Sequence, residues 1–120
     1  MSTKLSQFIL SVRHALHGVK TVFIEERNFR IQTTAALVAL ALGVIFKIET
    51  WEFILVLLLS SAILCLELTN SALERLANGL SPRLRPLIGD VKDIMAGTVL
   101  LASLLALAIG FIIFLPHIPV

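Results

Sequence analysis

Glu67, Asn70 and Glu74 fall at positions i, i+3 and i+7 of the stretch Cys65-Leu-Glu-Leu-Thr-Asn-Ser-Ala-Leu-Glu-Arg75. On an α-helix that spacing puts two carboxylates and an amide on one face. The apolar run that leads into them begins near Trp51, so Glu67 lies at membrane depth. A carboxylate there costs roughly 3 kcal/mol on insertion scales and usually faces a protein interior or a wet cavity where it has a task. Glu26, Lys92 and Asp93 are brought to the same boundary once charge sets the threading. Carboxylates, an amide and a cation at one membrane face suit a hard divalent cation and a phosphate. Magnesium takes one or two carboxylates with substrate phosphates and water, and phosphoryl transfer asks for positioning, charge neutralisation and a base near the attacking hydroxyl. Lys92 can hold the phosphate, and Glu67, the deepest acid, stands where a lipid hydroxyl would arrive.

The solvent these residues meet follows from composition. With 120 residues the chain is one small domain, and a hydrophobic fraction of 58% is too high for a soluble one. Few helices of this length bury little of each other's surface, so self-association is expected. The scattered basic residues and a net charge of +2 do not form a nucleic-acid footprint. Cys65 is the single cysteine, which excludes an intrachain disulfide and a thiol-rich metal site and reads as a small residue in a helix interface. Met1 to Lys20 lacks the uninterrupted apolar core and cleavage site of a secretory signal, so it is expected in the mature protein.

Four helices must position the polar groups. Leu5, Phe8, Ile9, Val12, Leu16, Val19 and Phe23 recur at helical spacing with basic residues largely elsewhere, which predicts an amphipathic surface helix over 4–28 lying in the headgroups. The first span is predicted over 31–48, with Ala35, Ala39 and Gly43 as a small-residue ridge that admits another helix. The second is predicted over 51–77, with Trp51 at the interface, and Asn78-Gly79 ends it. Ser81 to Pro86 reads as a polar loop with two prolines. The third span is predicted over 90–115, opening at Gly89-Asp90, carrying Ser103, Ala106 and Gly110 on one face, and closed by Pro116.

Charge orients the set. Lys4, Arg13, Lys20, Arg27 and Arg30 precede the first span; Arg75, Arg83, Arg85 and Lys92 lie between the second and third; only Lys47 lies across. The positive-inside rule then gives a cytoplasmic N-terminus and an external C-terminus. Glu26, Glu74, Lys92 and Asp93 come to the cytoplasmic boundary, with Glu67 about two turns deeper. No P-loop, glycine-rich kinase loop or D-F-G motif is present, so the residues alone reach a membrane-embedded carboxylate site for metal and phosphate and do not name the nucleotide.

Glu26 with Asn28-Phe29-Arg30, the run Glu67-Leu-Thr-Asn70-Ser-Ala-Leu-Glu74, and Val91-Lys92-Asp93-Ile-Met-Ala-Gly97 resemble the three signatures of the small prokaryotic diacylglycerol kinase and undecaprenol kinase family. Ala15-x-x-Gly18 and the closing Ile113-Phe114-Leu115-Pro116 fit as well, so the resemblance covers almost the whole chain. It implies an all-α integral-membrane homotrimer with a surface helix and three spans per subunit, residing in the prokaryotic inner membrane, with active sites shared between neighbours. The implied activity transfers the γ-phosphate of ATP to the hydroxyl of a membrane lipid, diacylglycerol or undecaprenol, with Mg2+ as cofactor. By matched position Glu67 is the base, Glu26 and Glu74 the metal ligands, and Asn70, Lys92 and Asp93 the polar residues around the phosphates. Arg83 and Arg85 in the basic loop are candidate polyphosphate contacts, and His14 a candidate nucleotide-side contact. Asn78 departs from the family pattern, which often has an acid there. Glu25-Glu26-Arg27-Asn28-Phe29 and the Phe-Leu-Pro ending look more like the undecaprenol kinase branch.

Other readings compete. A non-enzymatic proton- or cation-coupled membrane protein with Glu67 as its titrating group would use the same intramembrane acid. A small assembly subunit would tolerate acid-to-amide changes at Glu67 and Glu74. Neither accounts for Glu26, Glu74, Lys92 and Asp93 meeting at one boundary. His14 and His17, two potential ligands without a third, read as solvated or headgroup-facing. Glu25, adjacent to Glu26, must point elsewhere and reads as solvated or as support for its neighbour.

Overall fold

The computed structural model describes residues 3–80 and 82–119. Among these the chain is all helix: α1 (Lys4–Glu25), α2 (Arg27–Ile45), α3 (Thr50–Asn78) and α4 (Arg85–Phe114), with 3-10 turns at Pro82–Leu84 and Leu115–His117. The helical stretches Arg27–Ile45, Thr50–Asn78 and Pro82–His117 are long and apolar enough to cross a membrane. Helix α3 is the centre: α2 and α4 pack on it, and α1 touches it as well as α2.

The chain is a slab of 56 × 46 × 22 Å with a radius of gyration of 18.2 Å. A compact soluble domain of this length would have about 13–14 Å. Buried apolar residues are few, namely Val22, Phe29, Val56, Ile63, Ala77 and Ile113, whereas Leu37, Leu58, Leu101 and Ile112 stand exposed. In water each large apolar side chain left out forgoes about 1.5–3 kcal/mol, so these faces belong against lipid or other helices. The ridge Ala35–Ala39 and the face Ser103–Ala106–Gly110 do not close on each other. They line a shared apolar groove of about 590 Å³ between α2, α3 and α4. At its far end Phe46 and Phe114 meet edge to face at 6.2 Å.

The junctions explain how so small a core holds its geometry. Between α1 and α2 a single extended residue, Glu26 (φ −108°, ψ 109°), breaks the helix. The sequence predicts α1 running to residue 28 and the first span starting at 31. Instead the break comes at Glu26, where Arg30 reaches back across it, six and seven residues, and donates to the carbonyls of Phe23 (2.8 Å) and Ile24 (2.7 Å), which the last turn of α1 leaves open. Helix α2 ends in a two-bond cap, with Ile48 N–H on Gly43 O at 3.1 Å and Lys47 N–H on Val44 O at 3.2 Å. Lys47 takes the left-handed position of that cap, φ 54°. Glu49 and Glu52 then open α3 with a reciprocal capping box, and Trp51 Nε1 donates to Glu49 at 2.5 Å.

The connection from α3 to α4 is shorter than the predicted loop from Ser81 to Pro86. Ser81 lies outside the described residues, Pro82–Leu84 forms a 3-10 turn, and α4 starts at Arg85 rather than near residue 90. Pro86 sits in its first turn, where its fixed φ suits a helix and its missing N–H leaves no bond unmade. At the C-terminal end His117 Nδ1 bonds Ile113 O at 2.9 Å, and its Nε2 lies 4.0 Å from Glu52. The last turn of α4 is thereby placed beside the first turn of α3.

Gly43 is the tightest point. A Cβ built there would stand 3.0 Å from Ile48 Cδ1 and 3.2 Å from Phe53 Cδ2. Gly43→Val is therefore expected to destabilise by about 1–3 kcal/mol through overpacking. Lys47→Gly should stabilise by about 1 kcal/mol by relieving the left-handed backbone. Unfolding midpoints in a denaturing-detergent titration check both signs.

Candidate active site

At 1.5 Å per residue, the 29 residues of α3 extend about 43 Å, against about 30 Å of hydrocarbon in a bilayer. Measured from Thr50, Glu67 lies about 25 Å along the helix and Glu74 about 36 Å. Counted from Thr50, the first lies within the reach of a 30 Å span and the second past it. Glu67 is only 7% exposed, and Ser71, one turn on, 3%. These are the two buried polar side chains of the molecule among the described residues. Asn70 on the same stretch is half-buried and Glu74 is exposed.

The elbow supplies the opposing acid. Glu26, half-buried, is held between two helix ends, Glu25 of α1 and Arg27 of α2. The α3 side chain that reaches this elbow is Arg75, which pairs with Glu25 and lies 3.7 Å from Glu26. Glu74, next in sequence, is thus at the level of the elbow.

On the other side of α3, Lys92 Nζ donates to Asn78 Oδ1 at 3.0 Å. These two residues, with Leu80, Pro82, Arg85 and Gly89, line a hollow of about 440 Å³. That is within the range of small-molecule sites. Two clusters therefore flank the far end of α3: the acids Glu26 and Glu67 toward α2, and the cations Lys92 and Arg85 toward α4.

Other predicted residues are not gathered in. His14 lies on the exposed part of α1, well before Val22, the one buried residue of that helix. Asp93 is exposed next to Lys92, and Arg83 sits in the 3-10 turn rather than in the lining of the hollow. Among the described residues no three His, Cys, Asp or Glu side chains converge as a metal site. Three participants were not read from the sequence. Arg75 looked like one more interfacial cation. Ser71 was a spacer inside a motif, although its position, i+4 from Glu67, puts it on the same face. Asn78 reads from the sequence as part of a helix stop and as a departure from the family's acid, and the structure makes it the partner of Lys92.

Comparison with known proteins bears on what the site does. The profile of the family described as prokaryotic diacylglycerol kinase matches residues 13–114. The chain is 32% identical over 113 residues to an undecaprenol kinase of Bacillus subtilis, covering 94% of this chain and 92% of that one. It is 32% identical over 109 residues to a diacylglycerol kinase of Synechocystis, covering 90% of this chain and 62% of that longer protein. A diacylglycerol kinase of Haemophilus influenzae is 30% identical over 103 residues, 84% of this chain and 86% of its own.

If Asn78 holds Lys92 at the rim of the hollow, Asn78→Leu removes about 1 kcal/mol of orienting hydrogen bond and should raise the KM for the phosphoryl donor about fivefold. Steady-state kinetics with kcat and KM resolved test this; an unchanged KM would contradict it. With the profile match spanning most of its length and carrying all three polar signatures, the chain belongs to the prokaryotic diacylglycerol kinase family and is a lipid kinase.

Proposed function

We propose that this kinase transfers the γ-phosphate of Mg·ATP to the hydroxyl of a membrane lipid, diacylglycerol or undecaprenol, at the cytoplasmic face of a prokaryotic inner membrane. The observation that carries the reading is the graded depth of the acids: a buried Glu67 inside the apolar layer, with Glu26 near it and Glu74 beyond. Glu67 takes the proton of the lipid hydroxyl, the hydroxyl oxygen forms the new bond to the γ-phosphorus, and the bond to the bridging oxygen breaks to release ADP. Asn70 and Asp93 orient the reacting groups. Lys92, with Arg85 beside it, neutralises phosphate charge from the α4 side, and Arg83 and His14 serve the nucleotide further out.

Family membership sets aside the non-enzymatic ion-coupled reading. The donor set fits a divalent cation of the magnesium kind, because Glu26 and Glu74 offer two hard oxygen ligands and leave the remaining positions to phosphates and water. Bound there, the cation would neutralise charge developing on the transferred phosphoryl group. Nine of ten basic residues on one side of the spans support a cytoplasmic N-terminus and an external C-terminus. The exposed apolar residues of α1, with Lys4, Arg13 and Lys20 between them, suit a helix lying in the headgroups. The open apolar groove and the exposed slab faces support self-association; the family resemblance puts the number of copies at three, with nucleotide-side residues such as His14 reaching a neighbour's site.

Glu67→Gln is expected to lower kcat by about 10²–10⁴-fold, the range for loss of a general base. Protein extracted and assembled as the parent, assayed in mixed micelles with radiolabelled ATP, gives the comparison. Retained turnover would reject Glu67 as the base. Removal of Mg2+ with a chelator should abolish turnover reversibly, and equal micellar loadings of diacylglycerol and undecaprenol identify the acceptor.

A further inference from the structure

The elbow between α1 and α2 carries two adjacent acids, and the phosphoryl-transfer reading uses only Glu26. We infer that Arg75, tethered by Glu25, is a positioning residue that holds Glu26 in place for the divalent cation; this rests on the proposed phosphoryl-transfer site.

The guanidinium of Arg75 divides its two arms. Nη2 pairs with Glu25 Oε2, while Nη1 lies 3.7 Å from Glu26 Oε1 and 3.5 Å from the carbonyl of Ser71. The planar fork is rigid, so anchoring one arm fixes the other. The Glu26 contact is longer than a hydrogen bond. Glu26 is therefore steered toward α3 while its lone pairs stay available to a metal ion.

The steering opposes a definite force. Glu26 and Glu67 repel each other, and Glu26 is one-third exposed, free on that account to swing into water. A cation anchored on α3 counters that swing, and Glu25 keeps the cation from moving onto Glu26 outright.

Arg75 also carries a positive charge, which acts against binding of a metal cation. Its side chain is 42% exposed, and charges at that exposure are screened over about 8 Å at physiological salt. The loss of a placed ligand outweighs the relief of a screened repulsion. Exposed ion pairs add little to stability, so removing this one leaves the fold intact and isolates its effect on Glu26.

The test titrates Mg2+ with the full-length protein in mixed micelles. Arg75→Met should raise the Mg2+ concentration for half-maximal turnover about fivefold, with kcat at saturating Mg2+ within about twofold of the parent. Glu25→Gln should do the same, and the double variant should be no worse than either single one, because both remove one tether. Arg75→Lys, which keeps the charge without the fork, should fall between parent and Arg75→Met. Mn2+ binding followed by electron paramagnetic resonance, without lipid acceptor, should weaken in step.

An unchanged or lowered metal requirement in Arg75→Met, with the parent active, would overturn the inference and leave the kinase reading standing. A parent that phosphorylates no lipid with Mg·ATP would overturn the kinase reading and this inference with it.

Discussion

One helix is longer than the membrane is thick. The 29 residues of α3 leave about 13 Å beyond a 30 Å hydrocarbon layer, so in the proposed arrangement a single rigid element passes from lipid into water with Glu67 and Glu74 on either side of the boundary. Glu67 and Glu74 are two turns apart on that element, and their separation in depth is fixed by helix geometry alone. A lipid hydroxyl and a nucleotide phosphate can approach one site from opposite solvents only if such a scaffold holds both ends of it.

The remaining helices act as braces for that scaffold. Helix α2 brings Glu26 in through an elbow of one residue, which Arg30 closes by capping α1 from the far side of the break. Helix α4 runs alongside and places Lys92 at Asn78. The opposite ends are pinned by Gly43 under Ile48, by Phe46 against Phe114 and by His117 beside Glu52. These contacts are local and small, which is how a chain with so few buried apolar residues keeps a defined arrangement. The bilayer and neighbouring helices take the place of the core it lacks.

The three long apolar helices were legible in the sequence because hydrophobic length is a strong signal, and the helical spacing of Glu67, Asn70 and Glu74 was legible because helix geometry is nearly invariant. The helix ends were less so. The break at Glu26 depends on Arg30 folding back seven residues, and the early start of α4 depends on Pro86 sitting in a first turn rather than a loop. Neither shows in hydropathy. The pairing of Arg75 with Glu25 and Glu26 joins residues about fifty positions apart, and no periodicity within one helix announces it. Lys92 with Asn78 has the same character: two polar residues on separate helices, matched only once the turn between them is built.

The central claim is that the acids and the lysine meet at one membrane face, with Glu67 just beneath it. The most direct measurement is labelling with a membrane-impermeant thiol reagent in sealed vesicles of known orientation. Single cysteines would replace Glu26, Glu74, Lys92 and Lys47 in turn, with the exposed Cys65 changed to Ser. The account predicts modification at positions 26, 74 and 92 from the cytoplasmic side only and at position 47 from the other side only. Positions 74 and 92 labelling from opposite sides would contradict it.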